Sequence, residues 1–410
     1  MVAIFHLDPS RNPWMTAGGL KSIFAAIASK GGKARFAGGA VRDALLGRQA
    51  VDIDLAVTLP PDTVMDALRQ AGIKTVPTGI DHGTVMAVVG RKGYEITTLR
   101  RDVETDGRRA KVAFTDDWQA DAARRDFTFN AFYADPDGTV YDYFGGYDDL
   151  MAGRVRFIGN AEARIREDVL RILRFFRFYA SLGKGEPDPE ALSACRALAP
   201  LLPQLSAERV WIEIGKLLLA DDPVPACRLM ADQGILPVIL PEAERLGCLQ
   251  ELVRLEKEMR AGADALRRLA AVLKSGSAGD VASRLKMSKQ EAGRLRDLAL
   301  LPLELSGRTD DVPLRRILYP YGAEKVRDGL LLAAAGGAAF DLDAAIRAAE
   351  AWETPVFPLL GSDILKMGVV AGPRVGDVLH AVEAWWMERD FRPTKEECLE
   401  EARQFLLSGR

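Results

Sequence analysis

An α+β protein with its strands gathered near one end is the fold class this sequence predicts, and three observations predict it. Strand signals are confined to residues 34–150, where "ARFAGGAV", "VDIDLAV", "TVMAVVG" and "GYEITTLR" show β-branched or alternating patterns punctuated by glycine. From about residue 151 apolar positions recur every three to four residues to the end, which is the helical period. The breaks in that second region are short and polar: "GKGEPDPE" (183–190), "SGSAGD" (275–280) and "SGRTDDVP" (306–313). A small sheet with flanking helices, followed by an all-helical remainder, is therefore expected.

At 410 residues the chain exceeds one ordinary core, and roughly two to four domains are expected. A net charge of −3 gives no global basic signature, so nucleic-acid binding would need local basic patches. The cysteines Cys195, Cys227, Cys248 and Cys398 have neither zinc nor redox spacing, which fits a reducing compartment. The opening "MVAIFHLDPSRNPWM" lacks the pattern of a signal peptide, and no apolar run is long enough to span a bilayer. The expected setting is the cytoplasm.

In chain order, the strand at 34–37 meets Gly38 and Gly39 and runs into the amphipathic segment "AVRDALLG". Backbone N–H groups at such a turn can face an anion, and Arg42 lies one turn further on. In "VDIDLAV" Asp52 and Asp54 share a parity, so both are expected on one face of a strand, with Ile53, Leu55 and Val57 toward a core. Paired carboxylates repel each other. A hard cation such as Mg²⁺ relieves that repulsion and favours oxygen ligands together with phosphates. "PDTVMDALRQAG" (61–72) reads as a helix with a glycine stop. Glu95 in "GYEITTLR" offers a third carboxylate from a neighbouring strand, and His82 in "GIDHGTV" is expected in a loop. The alternative for the aspartates is an exposed polar strand face. The glycine turn and Arg42, within about twenty residues, favour a nucleoside triphosphate with Mg²⁺.

In "AARRDFTFNAFYAD" (122–135), Arg124, Arg125, Asp126, Thr128 and Asn130 interrupt an apolar strand pattern. Arginine pairs with phosphate, and Asp or Asn hydrogen-bonds ribose hydroxyls; the alternative is an ion-paired strand edge. Further on, "NAEARIREDVLRILRFFRFYASLG" (160–183) reads as one helix from an Asn160 cap to Gly183. On its wheel Val169, Ile172, Leu173 and Phe176 form a buried face, with Arg171, Arg174 and Arg177 opposite. Asp168 and Glu167 stand three and four residues before Arg171, within pairing distance on a helix. These residues form either a solvated, ion-paired face or a base reader. Cytosine and adenine place an amine donor beside a ring acceptor, whereas uracil and guanine place a carbonyl beside an N–H. A carboxylate next to a guanidinium, Asp168 with Arg171, fits the first arrangement and opposes the second.

The runs "GGAVRDALLGR…VDIDLAV", "DHGTVMAVV…YEITTLRRD", "RRDFTFNAFYAD", "YDYFGGYDDLMAGRVRFIG", "REDVLRILRFFRFYA" and "SAERVWIEIGKLLLA" come in this order over residues 30–220. Together they resemble the bacterial class II tRNA nucleotidyltransferases, the CCA-adding enzymes, whose superfamily includes bacterial poly(A) polymerases. "GPRVGDVLHAVEAWW" (372–386) is similar to a helical tail segment of that family.

The resemblance implies a nucleotidyltransferase head over 1–150, of five strands and about two flanking helices. It implies a helical neck over 151–220, a helical body over 221–305 and a helical, tRNA-binding tail over 306–410. It implies that Asp52 and Asp54 hold Mg²⁺, with Glu95 as a further catalytic carboxylate. Gly38, Gly39 and Arg42 would contact the nucleotide, Arg125, Asp126 and Asn130 its sugar and phosphates, and Asp168, Arg171, Arg174 and Arg177 its base and triphosphate. The implied reaction is attack by the 3′-hydroxyl of tRNA on the α-phosphate of CTP or ATP, releasing pyrophosphate.

Partial CCA addition and poly(A) synthesis are the competing activities within the family. The charged stretch 100–123 resembles the flexible loop that CC-adding members lack, which favours addition of A. None of His6, His82 and His380 is followed by Asp, so the phosphohydrolase activity of some members is not expected. A non-catalytic RNA-binding protein would be expected to lose the aspartate pair or the glycines, and both are intact. Residues 154–177 hold seven arginines against three acids, a patch suited to RNA phosphates. Arg209 and Lys216 would extend that track, while the basic run at 262–274 is expected to be an ordinary solvated helix.

Overall fold

The computed structural model describes residues 2–80, 83–106, 109–305 and 311–408, with the side chains of 3, 102–112 and 311–313 left aside. His82 lies outside the described residues. The chain divides into two compact units, Met1–Ile239 and Leu240–Arg410.

The first unit is built on a sheet of β1 (Ala3–His6), β2 (Ala34–Ala37), β3 (Asp54–Val57), β4 (Lys74–Gly79), β5 (Thr84–Val89), β6 (Lys92–Thr98), β9 (Tyr133–Ala134) and β10 (Thr139–Asp142). A separate hairpin pairs β7 (Arg100–Asp106) with β8 (Arg109–Phe114). Among the described residues the main sheet has eight strands in the order β1-β10-β9-β2-β3-β6-β5-β4, more than the five expected, and only β3 and β6 pair in parallel. The extra strands are short or polar, so they carry little periodic signal. The stretch expected as a flexible loop carries the β7–β8 hairpin.

Helices α1 (Gly18–Ser29) and α3 (Pro61–Gln70) pack together over one face of the sheet. That face is the apolar one: Phe36, Leu55, Val57, Val85 and Ile96 are buried, and Phe24 of α1 meets Phe36 edge-on at 5.1 Å. Burying each such side chain contributes about 1.5–3 kcal/mol. The opposite face is split. At one end Ala37, Ala56, Leu99, Ala122, Ala131, Tyr133 and Ile158 form a second apolar cluster, reached by α4 (Trp118–Ala123). At the other end the side chains are carboxylates and the face is open.

Between β2 and β3 lies the short helix α2 (Gly39–Leu45). The strand pattern read over 122–135 is instead mostly a turn closed by a 3₁₀ segment, Thr128–Asn130, with β9 reduced to two residues. Its alternating Phe127, Phe129 and Ala131 are buried without forming a ladder, which is why the period misled.

The rest of the unit is helical: α5 (Gly146–Ala152), α6 (Ala161–Glu167), α7 (Arg171–Leu182), α8 (Pro189–Leu198), α9 (Ala207–Leu218), α10 (Val224–Asp232) and α11 (Leu236–Ile239). Asn160 caps α6 as expected, its side chain accepting from Ala163 N. The single helix expected over 160–183 is broken. Asp168 has φ −151 and ψ 105, and the chain restarts as α7 three residues later. α7 packs against α9 and α10.

The second unit is formed by α12 (Leu246–Glu258), α13 (Ala265–Val272), α14 (Ala278–Arg284), α15 (Lys289–Leu305), α16 (Asp311–Ala335), α17 (Leu342–Ala351), α18 (Gly361–Lys366), α19 (Pro373–Glu388) and α20 (Lys395–Leu407). α16 kinks at Gly322, two residues after Pro320. The run 262–274 is not solvated. Arg267 and Arg268 are buried and bind the buried Glu256, and Arg267 also binds Asp328 at 2.6 Å. A buried charge must be paired, and here helix packing supplies the partners. Among the described residues no helix is long and apolar enough to cross a membrane.

Candidate active site

The open end of the sheet forms the floor of a pocket of about 720 Å³. Its walls come from the β2–α2 turn, the 124–130 turn, the α6–α7 break and α9. Every residue singled out from the sequence as catalytic or nucleotide-binding lines it.

The floor is acidic. Ala37, Asp54 and Glu95 stand side by side on β2, β3 and β6 in register. Asp52 lies in a bend just before β3 rather than within the strand. Ile53 and Leu55 are buried on the helix side, as expected from parity. Partial burial first, then the neighbouring Glu95 and Asp52, push the Asp54 carboxyl up to about 6, against the opposing pull of Arg125.

The turn above the floor depends on glycine. Gly38 has φ +63, and a Cβ there would come within 2.9 Å of Arg125 Nη1. Its N–H is already used, donating to the Phe132 carbonyl at 2.9 Å. At Gly39 a Cβ would meet only Arg42 Nη2, at 3.8 Å, so the backbone is open to a closely approaching ligand. Arg42 donates to Asn130 Oδ1 at 2.7 Å and to Asp43 Oδ1 at 2.9 Å.

Arg125 is fixed by three acceptors: Tyr133 Oη at 3.3 Å, the Asn130 carbonyl at 3.3 Å and Asp121 Oδ2 at 3.4 Å. Asp121 is fully buried and also receives Arg124 Nε, the Tyr133 hydroxyl and the Arg100 backbone N–H. Burial alone would raise its carboxyl, but these donors hold it below the usual carboxylate range. Asp126 is governed in the same way. Burial is outweighed by Arg174, by Asn130 Nδ2 at 3.0 Å and by its bond from Phe127 N, and its carboxyl is held low.

The arginines of α7 are anchored from other elements. Arg174 Nε donates to Asp126 Oδ2 at 2.7 Å, and its Nη1 lies 3.6 Å from Glu213. Arg177 Nε donates to Glu213 Oε2 at 2.6 Å. Phe178 is the apolar centre of this group: Arg177 lies 3.9 Å, Arg42 5.3 Å and Arg174 5.6 Å from its ring centroid. Arg171 pairs with Glu167 at 2.7 Å, as its spacing predicted, and donates to the Arg164 carbonyl at 2.6 Å.

The expected pairing of Asp168 with Arg171 is absent. Both line the pocket, but the helix break takes Asp168 off the wheel on which they would be neighbours. Asp168 is instead bound by Arg209 of α9, whose Nη2 reaches Oδ1 at 3.0 Å and Oδ2 at 2.8 Å.

Asp121, Tyr133, Phe178 and Glu213 were not identified as site residues from the sequence, and Arg209 was read only as an extension of the basic track, not as the partner of Asp168. One signal was present: Arg209, Glu213 and Lys216 recur at helical spacing along "SAERVWIEIGK", a polar stripe on an otherwise apolar helix. Lys216 also lines the pocket.

Among the described residues no group of three or more His, Cys, Asp or Glu is disposed to hold a metal unaided. Asp52 and Asp54 suit a hard cation that takes its remaining oxygens from phosphate and water. The raised Asp54 carboxyl fits that role, because a cation would cancel the repulsion behind part of the shift.

The comparisons with known proteins agree on one family. Residues 34–156 match the family model described as the poly A polymerase head domain, and residues 186–246 match that of the probable RNA and SrmB-binding site of polymerase A. The chain is 36% identical over 395 residues to the mitochondrial CCA tRNA nucleotidyltransferase 1 of Mus musculus, covering 93% of this chain and 89% of that protein. It is 33% identical over 367 residues to the CCA-adding enzyme of Streptococcus gordonii, covering 87% and 90%. The crystal structure of the Bacillus stearothermophilus CCA-adding enzyme in complex with CTP superposes with a TM-score of 0.76 at 28% identity, covering 95% of this chain and 97% of that one.

Proposed function

The chain belongs to the CCA-adding tRNA nucleotidyltransferases, and on that premise we propose that its pocket joins C, C and A to the 3′ end of tRNA without a nucleic-acid template. The substrates are CTP, ATP and the tRNA 3′-hydroxyl, and pyrophosphate is the leaving group. One observation carries the assignment of the chemistry: an acidic floor of Asp52, Asp54 and Glu95 faces arginines held by buried carboxylates across one cavity.

Nucleotidyltransferases of this family work with a divalent metal ion, and Mg²⁺ held by Asp52 and Asp54 is the ion proposed here. Held by Asp52 and Asp54, such an ion would supply the positive charge that lowers the pKa of the attacking hydroxyl and steadies the departing pyrophosphate. Glu95 adds negative charge beside Asp54 and strengthens the site's demand for a cation. The Gly38–Gly39 turn lets phosphate approach the backbone, with Arg42 beside it. Arg125, Asp126 and Asn130 hold the sugar and phosphates. Arg174 and Arg177 reach the triphosphate and the base. Asp168, with Arg171 on the same wall, reads the base: its carboxylate accepts from the exocyclic amine of cytosine or adenine. A uracil or guanine carbonyl there would leave polar groups unpaired, which is a strong basis for discrimination.

In this reading residues 1–150 act as the catalytic head, 151–220 as the base-reading neck, 221–305 as the body and 306–410 as the tRNA-binding tail. The proposed setting is the cytoplasm.

The test is extension of a tRNA transcript lacking its last three nucleotides, with Mg²⁺ and CTP, ATP or both, resolved at single-nucleotide length. Two additions with CTP alone and a third only when ATP is present are expected. Arrest after two with both nucleotides would indicate a CC-adding enzyme, and a long ladder with ATP alone would indicate a poly(A) polymerase. No extension under any condition would favour an RNA-binding protein.

A further inference from the structure

We infer that Arg209 is a positioning residue for nucleotide choice: it fixes the rotation of the Asp168 carboxylate, and that rotation separates C and A from U and G. The inference rests on the proposed base-reading role of Asp168.

Its own segment holds the Asp168 side chain only through the Leu170 backbone N–H. It sits in the gap between α6 and α7 with extended backbone, so no helical turn restrains its side chain. Two contacts restrain it instead. Oδ1 accepts from the Leu170 backbone N–H at 3.2 Å, and Arg209 Nη2 bridges Oδ1 and Oδ2 at 3.0 and 2.8 Å. A carboxylate offers about four lone-pair sites. These bonds occupy two on Oδ1 and one on Oδ2, so Oδ2 keeps a site for one further donor.

Orientation matters because wrong bases also carry donors. Cytosine and adenine present an exocyclic amine. Uracil and guanine present a ring N–H, two bonds away across the ring carbon from where that amine would stand. A carboxylate free to swing could follow either donor. One with a single open acceptor in a fixed place distinguishes them, since the misplaced donor meets no partner and a carbonyl faces the carboxylate. Arg171 does not supply this restraint, being bound to Glu167 and to the Arg164 carbonyl. Arg209 comes from α9, so base choice is tied to how α9 packs against α7.

The contact uses one nitrogen for both oxygens, which a lysine ammonium can reproduce and a methyl group cannot. The experiment compares Arg209→Ala, Arg209→Lys and Asp168→Ala in the full-length protein. The readout is kcat/KM for CTP against UTP on a tRNA lacking its last three nucleotides, and for ATP against GTP on one ending in CC. Melting midpoints report folding. R209A is expected to lower both selectivity ratios by about ten- to a hundredfold, as expected for losing a hydrogen bond to a charged group. R209K is expected to restore most of the loss. Should R209A fail to fold, Arg209→Gln provides the same comparison.

Unchanged selectivity in R209A while D168A loses it would overturn the positioning role alone. So would equal losses for right and wrong nucleotides that R209K does not mend. A lower KM for CTP in R209A would show that Arg209 competes with the base, which also overturns it. Unchanged selectivity in D168A would overturn the base-reading role itself.

Discussion

Arg174 of α7 donates through Nε to Oδ2 of Asp126 at 2.7 Å, joining the arginine helix to the turn that closes the candidate pocket. The two residues lie 48 apart in sequence. The bond makes one pocket wall from elements that local sequence leaves independent. Asp126 is buried, and a second carboxylate, Glu213, lies 3.6 Å from Arg174. Removing one partner of a buried ion pair costs about 3–5 kcal/mol. Asp126→Ala should therefore lower the unfolding free energy by about that amount, read by urea denaturation, and should suppress primer extension in the fraction that remains folded.

The acidic floor gives a cleaner loss. Asp52→Ala and Asp54→Ala should abolish addition of both C and A while leaving tRNA binding, measured by gel shift, largely intact. Normal turnover in either variant would remove the metal assignment.

Asp54 also makes the free protein's stability depend on pH. Its folded carboxyl is raised to about 6, above the ordinary aspartate value of 3.8. The folded state therefore binds the proton more tightly, and ionised Asp54 destabilises the fold at neutral pH. That penalty should ease as pH falls through about 6 and be gone below the unfolded value. Asp54→Asn should raise the melting midpoint at pH 7.5 and narrow its difference from pH 5. Divalent cation should raise the midpoint of the wild type more than that of the variant.

Glu213 binds two arginines of α7 from the far side of the pocket. Glu213→Gln keeps the volume and removes the charge, freeing Arg177 and Arg174 to shift. A rise in KM for both CTP and ATP, without a change in which nucleotide is preferred, is the expected kinetic signature. A selective effect on one nucleotide would argue against a shared role in holding the triphosphate.

Features set by a few adjacent residues were legible in the sequence. The Gly38–Gly39 turn was, because the positive φ and the close approach of Arg125 both require glycine at 38. The burial of Ile53, Leu55 and Val57 opposite Asp54 followed from strand parity. Features decided by distant partners were not. Nothing local marks Asp168 as a helix break, since the sequence runs on with helical periodicity. Its partner lies 41 residues away on α9. The segment around Phe127 and Phe129 alternates like a strand, yet it is buried as a turn against Phe157 and Phe178. Arg267 and Arg268 looked solvated because their acidic partners come from α12 and α16.

The outer strand β4 has a consequence for life at high concentration. It ends one side of the sheet, where unpaired backbone groups could recruit a second chain and seed aggregation. Pro77 presents no N–H for such a ladder, and the register with β5 shifts between Val76 and Gly79. Lys74, exposed at the strand's start, would bring like charges together as two copies approached. An irregularity that looks like a flaw in the sheet thus leaves this edge a poor template for pairing with a second copy.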